Sequence, residues 1–336
     1  MQIAVLGAGS WGTALALVLA RNNHRVKLWG HNKVRLEQIR LAHANEQYLP
    51  DVPFPENLIP EADLSEAIRD CSLIVVAVPS HAFRELLERL PPLLKAPCGI
   101  AWATKGLELN TGLPLHHVVK NVLGDGFPAA VLSGPTFAGE VARGQPTAIT
   151  VASESEAFAS ELVAIFHNPK FRAYTTTDVV GVELGGAVKN VLAIAAGVAD
   201  GLGYGANARA ALITRGLAEL MRLGLTLGGR PETLMGLSGV GDLILTCTDN
   251  QSRNRRFGLG LGKGLAAKSI AEDIGQEIEG IPTARIVHEL SLRHQIEMPI
   301  TEQIYRILYE GLSPHEAVSN LLVREPKPES ERPDPS

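Results

Sequence analysis

The chain has 336 residues, enough for two domains of ~150 residues each. With 45% hydrophobic and 20% charged residues it has an ordinary globular composition, which excludes a wholly disordered chain or a coiled coil. The formal charge of −5 argues against a general nucleic-acid or polyanion binder, and three scattered cysteines (Cys71, Cys98, Cys247) argue against a disulfide framework or a zinc site.

In chain order, residues 3–6 read as a buried strand, 13–20 as the helix after it, and 25–29 as a second strand. Residues 73–78 are apolar and uncharged, the pattern of a strand covered on both faces. Residues 99–103, 130–132 and 148–151 are further strands. Strands alternating with helices predict βαβ units and a parallel sheet. From Val182 onward the pattern is helical, with helices expected over 183–199, 208–223, 242–247, 269–274, 283–293 and 300–309. The expected fold class is α/β. A Rossmann-type doubly wound sheet occupies 1–178 and an all-α domain occupies 179–324. The proline-rich segment 325–336 lacks an apolar anchor and is expected to be a disordered tail. No run reaches the ~18 consecutive apolar residues of a spanning helix. The N-terminus lacks a basic n-region, and Gly7, Gly9 and Ser10 interrupt its apolar run. A cytoplasmic protein without membrane insertion is expected.

Gly7-Ala8-Gly9-Ser10-Trp11-Gly12 matches G-x-G-x-x-G after a strand and at the opening of a helix. In that setting Gly7 makes the tight turn, Gly9 lets the backbone approach a pyrophosphate and Gly12 allows helix–sheet packing. An NAD-specific site places a carboxylate at the end of the second strand. Here Leu28-Trp29-Gly30-His31-Asn32-Lys33 carries none, and the first acid is Glu37. His31, Lys33 and Arg35 could meet a 2′-phosphate, or form a solvated basic turn. NADP(H) or dual use is favoured over strict NAD. Ligands gather at the carboxyl ends of parallel strands, where Val78-Pro79-Ser80, Lys105 and Ser133-Gly134-Pro135-Thr136 fall.

The segment 181–200 is apolar nearly all round, so it should be a buried central helix, with Gly185 and Gly186 permitting a close backbone approach. Lys189 and Asn190 are its polar exceptions apart from Glu183 near its start and Asp200 at its end. Burial lowers a lysine's pKa, so Lys189 is a candidate general base, or else the partner of a buried acid. Asp242 follows the turn Ser238-Gly239-Val240-Gly241 and shares a helix face with Thr246; it serves a ligand or only the helix dipole. The run from Asp249 to Arg256 sets Ser252, Arg253 and Asn254 in the chemistry that suits a phosphate.

Taken together, these residues resemble the bacterial NAD(P)-dependent glycerol-3-phosphate dehydrogenase family. The matching stretches are GAGSWGTALA at 7–16, LWGH at 28–31, YLPDVPFP at 48–55, VPSHAF at 78–83, WATKGLE at 102–108, SGPTFAGE at 133–140, LGGAVKNVLAI at 184–194, GANARAALITRGLAE at 205–219, GVGDLILTCTDNQSRNRRFG at 239–258 and IEG at 278–280. They span both halves of the chain. The resemblance implies that Ser10, Trp11, His31, Ala138 and Glu279 contact the cofactor, NADPH or NADH. It implies that Lys105 and Arg253 meet both cofactor and substrate, and that Gly134, Thr136, Asp242, Ser252 and Asn254 bind the substrate. Lys189 would be the proton acceptor. Glu277 departs from the family's pattern, standing where an apolar cofactor contact is expected. The implied reaction is reduction of dihydroxyacetone phosphate to sn-glycerol 3-phosphate, at the head of phospholipid synthesis. A homodimer is the common default. No metal and no nucleic-acid partner is expected. The alternatives are another phosphorylated hydroxyacid dehydrogenase of the same architecture, or a non-catalytic nucleotide sensor.

Overall fold

A computed structural model describes residues 1–94 and 98–325. The tail expected to be disordered lies, but for Glu325, outside the described residues. The strands are β1 Gln2–Leu6, β2 Arg25–Trp29, β3 Leu58–Glu61, β4 Leu73–Val76, β5 Gly99–Trp102, β6 Ala129–Ser133, β7 Thr147–Ala152 and β8 Phe171–Thr176. They form one sheet in the order β3-β2-β1-β4-β5-β6-β7-β8. Between them run α1 Ser10–Arg21, α2 Lys33–Ala42, α3 Leu64–Ile68, α4 Phe83–Glu88, α5 Leu115–Leu123, α6 Ala138–Ala142 and α7 Glu156–Phe166.

Strand β1 shows why the sheet is covered on both faces. Successive side chains point to opposite faces, and all of Ile3–Leu6 is apolar. Ile3 and Val5 join a core with α1, α2 and α7. Ala4 and Leu6 join another with α3, α4 and α5. That is the doubly wound arrangement expected from the uncharged runs.

The sheet departs from expectation at several points. It is not wholly parallel, because β6 and β7 pair antiparallel. Only α6 lies between them, and its five residues span about 8 Å, half the ~17 Å of a strand. The chain re-enters the sheet from the end at which β6 leaves it, so β7 runs back along β6 with Ser133 opposite Thr150 and Val131 opposite Ala152. Strand β4 ends at Val76 rather than at residue 78, since Pro79 restricts the residue before it and lacks an N–H. Strands β3 and β8 were not foreseen. Both are edge strands; β3 carries Pro60 and Glu61, and β8 exposes Arg172 and Tyr174. Edge positions tolerate proline and charge, which erases the apolar signature.

Beyond Thr176 the chain is helical: α8 Val179–Gly201, α9 Ala206–Thr226, α10 Pro231–Leu234, α11 Asp242–Thr248, α12 Arg253–Gly262, α13 Ala267–Ile274, α14 Gly280–Arg293, α15 Pro299–Tyr309 and α16 Pro314–Leu322. Helices α9, α11, α12 and α14 surround α8. By length and mean hydropathy (1.6 over 18 residues) α8 could cross a membrane, which corrects the reading from consecutive apolar residues. Its burial explains the hydropathy: 94% of that window lies inside the protein. Helix α12 was not foreseen, since glycines 258, 260 and 262 lower helix propensity. They serve packing instead. A Cβ on Gly258 would lie 2.0 Å from the Ile194 carbonyl oxygen, and one on Gly197 2.1 Å from that of Arg255. Helices α8 and α12 therefore cross backbone to backbone, which holds the 252–254 segment against the middle of α8.

Candidate active site

The glycine turn joins β1 to α1. Gly7 has φ +126°, and a Cβ there would lie 2.4 Å from the Ala77 carbonyl oxygen. A Cβ on Gly12 would lie 1.9 Å from the Gly7 oxygen, whereas one on Gly9 would meet nothing within 4 Å. Gly7 and Gly12 thus answer to packing and Gly9 faces open space. Helix α1 has no side-chain cap and no acid in its first turn. Its first N–H groups lack intrahelical acceptors and sit at the positive end of the helix dipole. This is a fitting seat for a pyrophosphate. Ser10 and Trp11 are half-buried in that first turn, and the buried indole Nε1 of Trp11 has no hydrogen-bond partner among the described residues.

At the end of β2, His31 is exposed and Asn32 caps α2 by accepting from the Arg35 N–H at 3.0 Å. Arg35 turns away: its Nη1 donates to the Tyr48 hydroxyl at 2.7 Å and its guanidinium lies over that ring. His31 and Lys33 line a cavity of about 610 Å³ with Trp29, Asp63 and Arg89. Asp63, from the turn before α3, brings to this edge a carboxylate that the sequence around β2 lacks. The Arg89 guanidinium lies 5.4 Å from the Trp29 ring centroid.

The chemically distinctive cluster lies farther along the carboxyl edge. Lys105 follows β5, and Lys189 stands at the middle of α8. Asp242 is the first residue of α11, directly after a π-helical turn at Leu237–Gly241. The Asp242 carboxylate is wholly buried. Its Oδ2 accepts from Lys105 Nζ at 2.6 Å and its Oδ1 from Lys189 Nζ at 2.5 Å. Lys105 Nζ also donates to the Gly134 carbonyl at 3.2 Å, and Lys189 Nζ to Thr246 Oγ1 at 3.0 Å. Two amines from two domains share one aspartate. Burial pushes Lys189 down from the usual 10.5 to about 7; Asp242 opposes this and Lys105 reinforces it. At that value both protonation states are accessible near neutrality, as acid–base chemistry requires. Lys189 is therefore a buried lysine paired with an acid.

The other predicted residues sit around this cluster. Gly134 (φ +153°) follows β6, and its carbonyl also accepts from Thr136 Oγ1 at 3.2 Å. Ala138 opens α6. Ser252 caps α12 by accepting from the Arg255 N–H at 3.2 Å. Asn254 Nδ2 donates to Asn190 Oδ1 at 2.9 Å, and its Oδ1 accepts from the Gly280 N–H at 2.9 Å. Arg253 Nη1 donates to the Glu277 carbonyl at 2.7 Å, and burial lowers its pKa. Glu277 is exposed. Glu279 accepts from the Ser80 N–H at 3.3 Å and from Ser80 Oγ at 2.9 Å; burial raises its pKa. A line of hydrogen bonds and chain neighbours thus runs from Ser80 through residues 279–280 and Asn254 to Asn190, next in sequence to Lys189, and from Lys189 through Asp242 and Lys105 to Gly134. His31 stands apart from this line. In the sequence Ser80 stands out only as part of a strand-end segment, and Asn190 only as a polar exception in α8. A buried amide beside a buried lysine was the signal available.

A mostly parallel doubly wound sheet with a glycine-rich β1–α1 turn, followed by a helical domain, defines a two-domain dinucleotide-dependent dehydrogenase. Two family models match the chain. The NAD-dependent glycerol-3-phosphate dehydrogenase N-terminus matches residues 2–159, and the corresponding C-terminus matches residues 178–319. A glycerol-3-phosphate dehydrogenase (NAD(P)+) of Methylococcus capsulatus is 59% identical over 331 residues, covering 98% of this chain and 99% of that protein. One of Pseudoalteromonas translucida is 56% identical, covering 97% and 98%. The crystal structure of glycerol-3-phosphate dehydrogenase from Coxiella burnetii superposes with a TM-score of 0.93 at 51% identity, covering 96% of this chain and 99% of that one. The chain belongs to the NAD-dependent glycerol-3-phosphate dehydrogenase family.

Proposed function

We propose that the chain is an NAD(P)-dependent sn-glycerol-3-phosphate dehydrogenase, an oxidoreductase that reduces dihydroxyacetone phosphate at C2. The observation that carries this reading is the buried Asp242 carboxylate held between Lys105 of one domain and Lys189 of the other. Residues 1–178 would form the dinucleotide domain and 179–324 the substrate domain. Gly7, Gly9, Ser10, Trp11, Gly12, His31, Lys105, Ala138, Arg253 and Glu279 would hold the cofactor. A bound dihydronicotinamide supplies the hydride. Protonated Lys189 hands its Nζ proton to the C2 oxygen during reduction, and neutral Lys189 takes that proton back during oxidation. Lys105, on the other oxygen of Asp242, stabilises negative charge developing on the C2 oxygen. Arg253 grips the phosphate with Ser252 and Asn254, while Gly134 and Thr136 close the site from the sheet side. The open turn after β2, with His31 and Lys33, supports a preference for NADPH; Asp63 in the same cavity supports retained use of NADH. The protein would act in the cytoplasm as a homodimer, its product entering glycerophospholipid synthesis.

Initial rates with NADPH and with NADH test the reading, using dihydroxyacetone phosphate beside unphosphorylated 2-keto acids. Turnover confined to dihydroxyacetone phosphate supports it. Turnover of a keto acid with none of dihydroxyacetone phosphate refutes it.

A further inference from the structure

Glu183 is a buried carboxylate on α8 that the proton transfer does not use; its side chain is 2% exposed. Burying a carboxylate is costly unless donors satisfy it. All the donors it finds belong to the sheet domain. Trp102 Nε1 donates to Oε1 at 3.0 Å, and the His116 N–H to the same oxygen at 3.0 Å. His116 Nδ1 lies 2.5 Å from Oε2. An apolar side chain in this place would avoid the desolvation, so packing alone gives no reason for an acid here. A buried polar cluster does fix geometry.

The geometry it fixes is that of the two lysines. Trp102 is the last residue of β5, three positions before Lys105. The stretch between them is pinned to the end of β4 by the Ala103 N–H to the Val76 carbonyl at 2.8 Å and to the segment after β4 by Thr104 Oγ1 to the Val78 carbonyl at 2.8 Å. Glu183 precedes Lys189 by six positions on one continuous helix. Gly186, one turn after Glu183, passes beside the Lys105 side chain: a Cβ there would lie 3.7 Å from its Cγ. Fixing Trp102 on Glu183 therefore fixes where Lys105 meets α8.

We propose that Glu183 is a positioning residue, clamping the end of β5 and the start of α5 to α8 so that Lys105 and Lys189 flank Asp242. The inference rests on the proposed dehydrogenase reading. It is tested in three variants of the full-length protein, Glu183→Leu, Glu183→Gln and Trp102→Phe. Each is followed by melting temperature, NADPH affinity, kcat and KM for dihydroxyacetone phosphate, and the pH dependence of Lys189 acetylation read by mass spectrometry. The groups facing Lys189 in that titration are Asp242, Lys105, Thr246 and Cys247.

Glu183→Leu should lower kcat about 100-fold, the cost of a misplacement near 1 Å, and should move the Lys189 acetylation midpoint. Glu183→Gln should restore most of the rate, since its amide oxygen still accepts from Trp102 and His116. Should Glu183→Leu fail to fold, Trp102→Phe, which removes the indole donor and keeps a smaller aromatic ring, should by itself lower kcat and shift the midpoint from the parent's. A folded Glu183→Leu or Trp102→Phe protein with the parent's midpoint and kcat overturns the proposal. Acetylation needs no turnover. A parent protein inactive on dihydroxyacetone phosphate would therefore refute the dehydrogenase reading, while the Lys189 midpoint still reports on the clamp.

Discussion

Asp242 and Lys105 act on Lys189 with opposite sign, and that opposition can be measured. Burial alone carries the Lys189 pKa down, Asp242 draws it back up and Lys105 pushes it down again, for a result of about 7. At an effective dielectric of ~20, a unit charge ~4 Å away contributes about 4 kcal/mol, equivalent to about 3 pKa units. The Lys105 side chain is 16% exposed, so water reaches the cluster from one side. A shift of about one to two units per variant is the appropriate magnitude. Asp242→Asn should move the Lys189 midpoint below 7 and Lys105→Met should move it above 7. The assay is the pH profile of kcat/KM for glycerol 3-phosphate oxidation, in which neutral Lys189 is the active form. The parent rate should rise as pH passes through about 7. That limb should come earlier in Asp242→Asn and later in Lys105→Met. Asp242→Asn also leaves two amines beside a neutral side chain, and breaking a buried pair costs about 3–5 kcal/mol of stability; Lys105→Met carries the test independently. Displacement of both limbs in the same direction, or a Lys105→Met limb at the parent position, would refute the electrostatic reasoning.

Gly9→Ala should weaken NADPH binding at least about 10-fold at an unchanged melting temperature, because its Cβ enters open space above the α1 N-terminus. Gly12→Ala should cost about 1–3 kcal/mol of stability, because its Cβ meets the Gly7 oxygen. Thermal melts with and without NADPH separate the two effects, and equal melting losses in both variants would contradict the turn's division of labour. Arg253→Ala should raise the KM for dihydroxyacetone phosphate about 30- to 160-fold, the range for a charged hydrogen bond worth about 2–3 kcal/mol. Unchanged kinetics would remove it from the phosphate site. Glu219, accepting from the Ile300 and Thr301 N–H groups, is pushed by burial from 4.5 up to about 7. The folded chain thus binds this proton more tightly than the unfolded chain, and stability falls as pH rises from 4.5 to 7. Glu219→Gln should remove about 3 kcal/mol of that fall; parallel pH–stability curves for variant and parent would contradict it.

How much of this was legible depends on where each signal resides. The two faces of β1, β4 and β5 could be read because their residues are apolar without interruption. The sheet edges could not, since Pro60, Arg172 and Tyr174 satisfy an edge and look like loop. No helix is expected over α12, because its glycines lower helix propensity, and only its crossing with α8 shows that they answer to another backbone. In the site, the burial of Lys189 follows from its helix and the position of Lys105 from its strand. That both would meet one carboxylate does not follow from either. Asp242 carries only the local signature of a helix start, and Glu183 that of an acid near the start of an apolar helix. Pairings between residues 53 and 137 positions apart belong to the tertiary fold.

The central claim is that Lys189 exchanges the proton at C2. The direct measurement compares kcat for dihydroxyacetone phosphate reduction in Lys189→Ala and parent protein at saturating NADPH, with NADPH affinity determined in parallel. The account predicts a fall of about 10²–10⁴-fold in kcat with NADPH affinity retained. A Lys189→Ala protein turning over near the parent rate would contradict it.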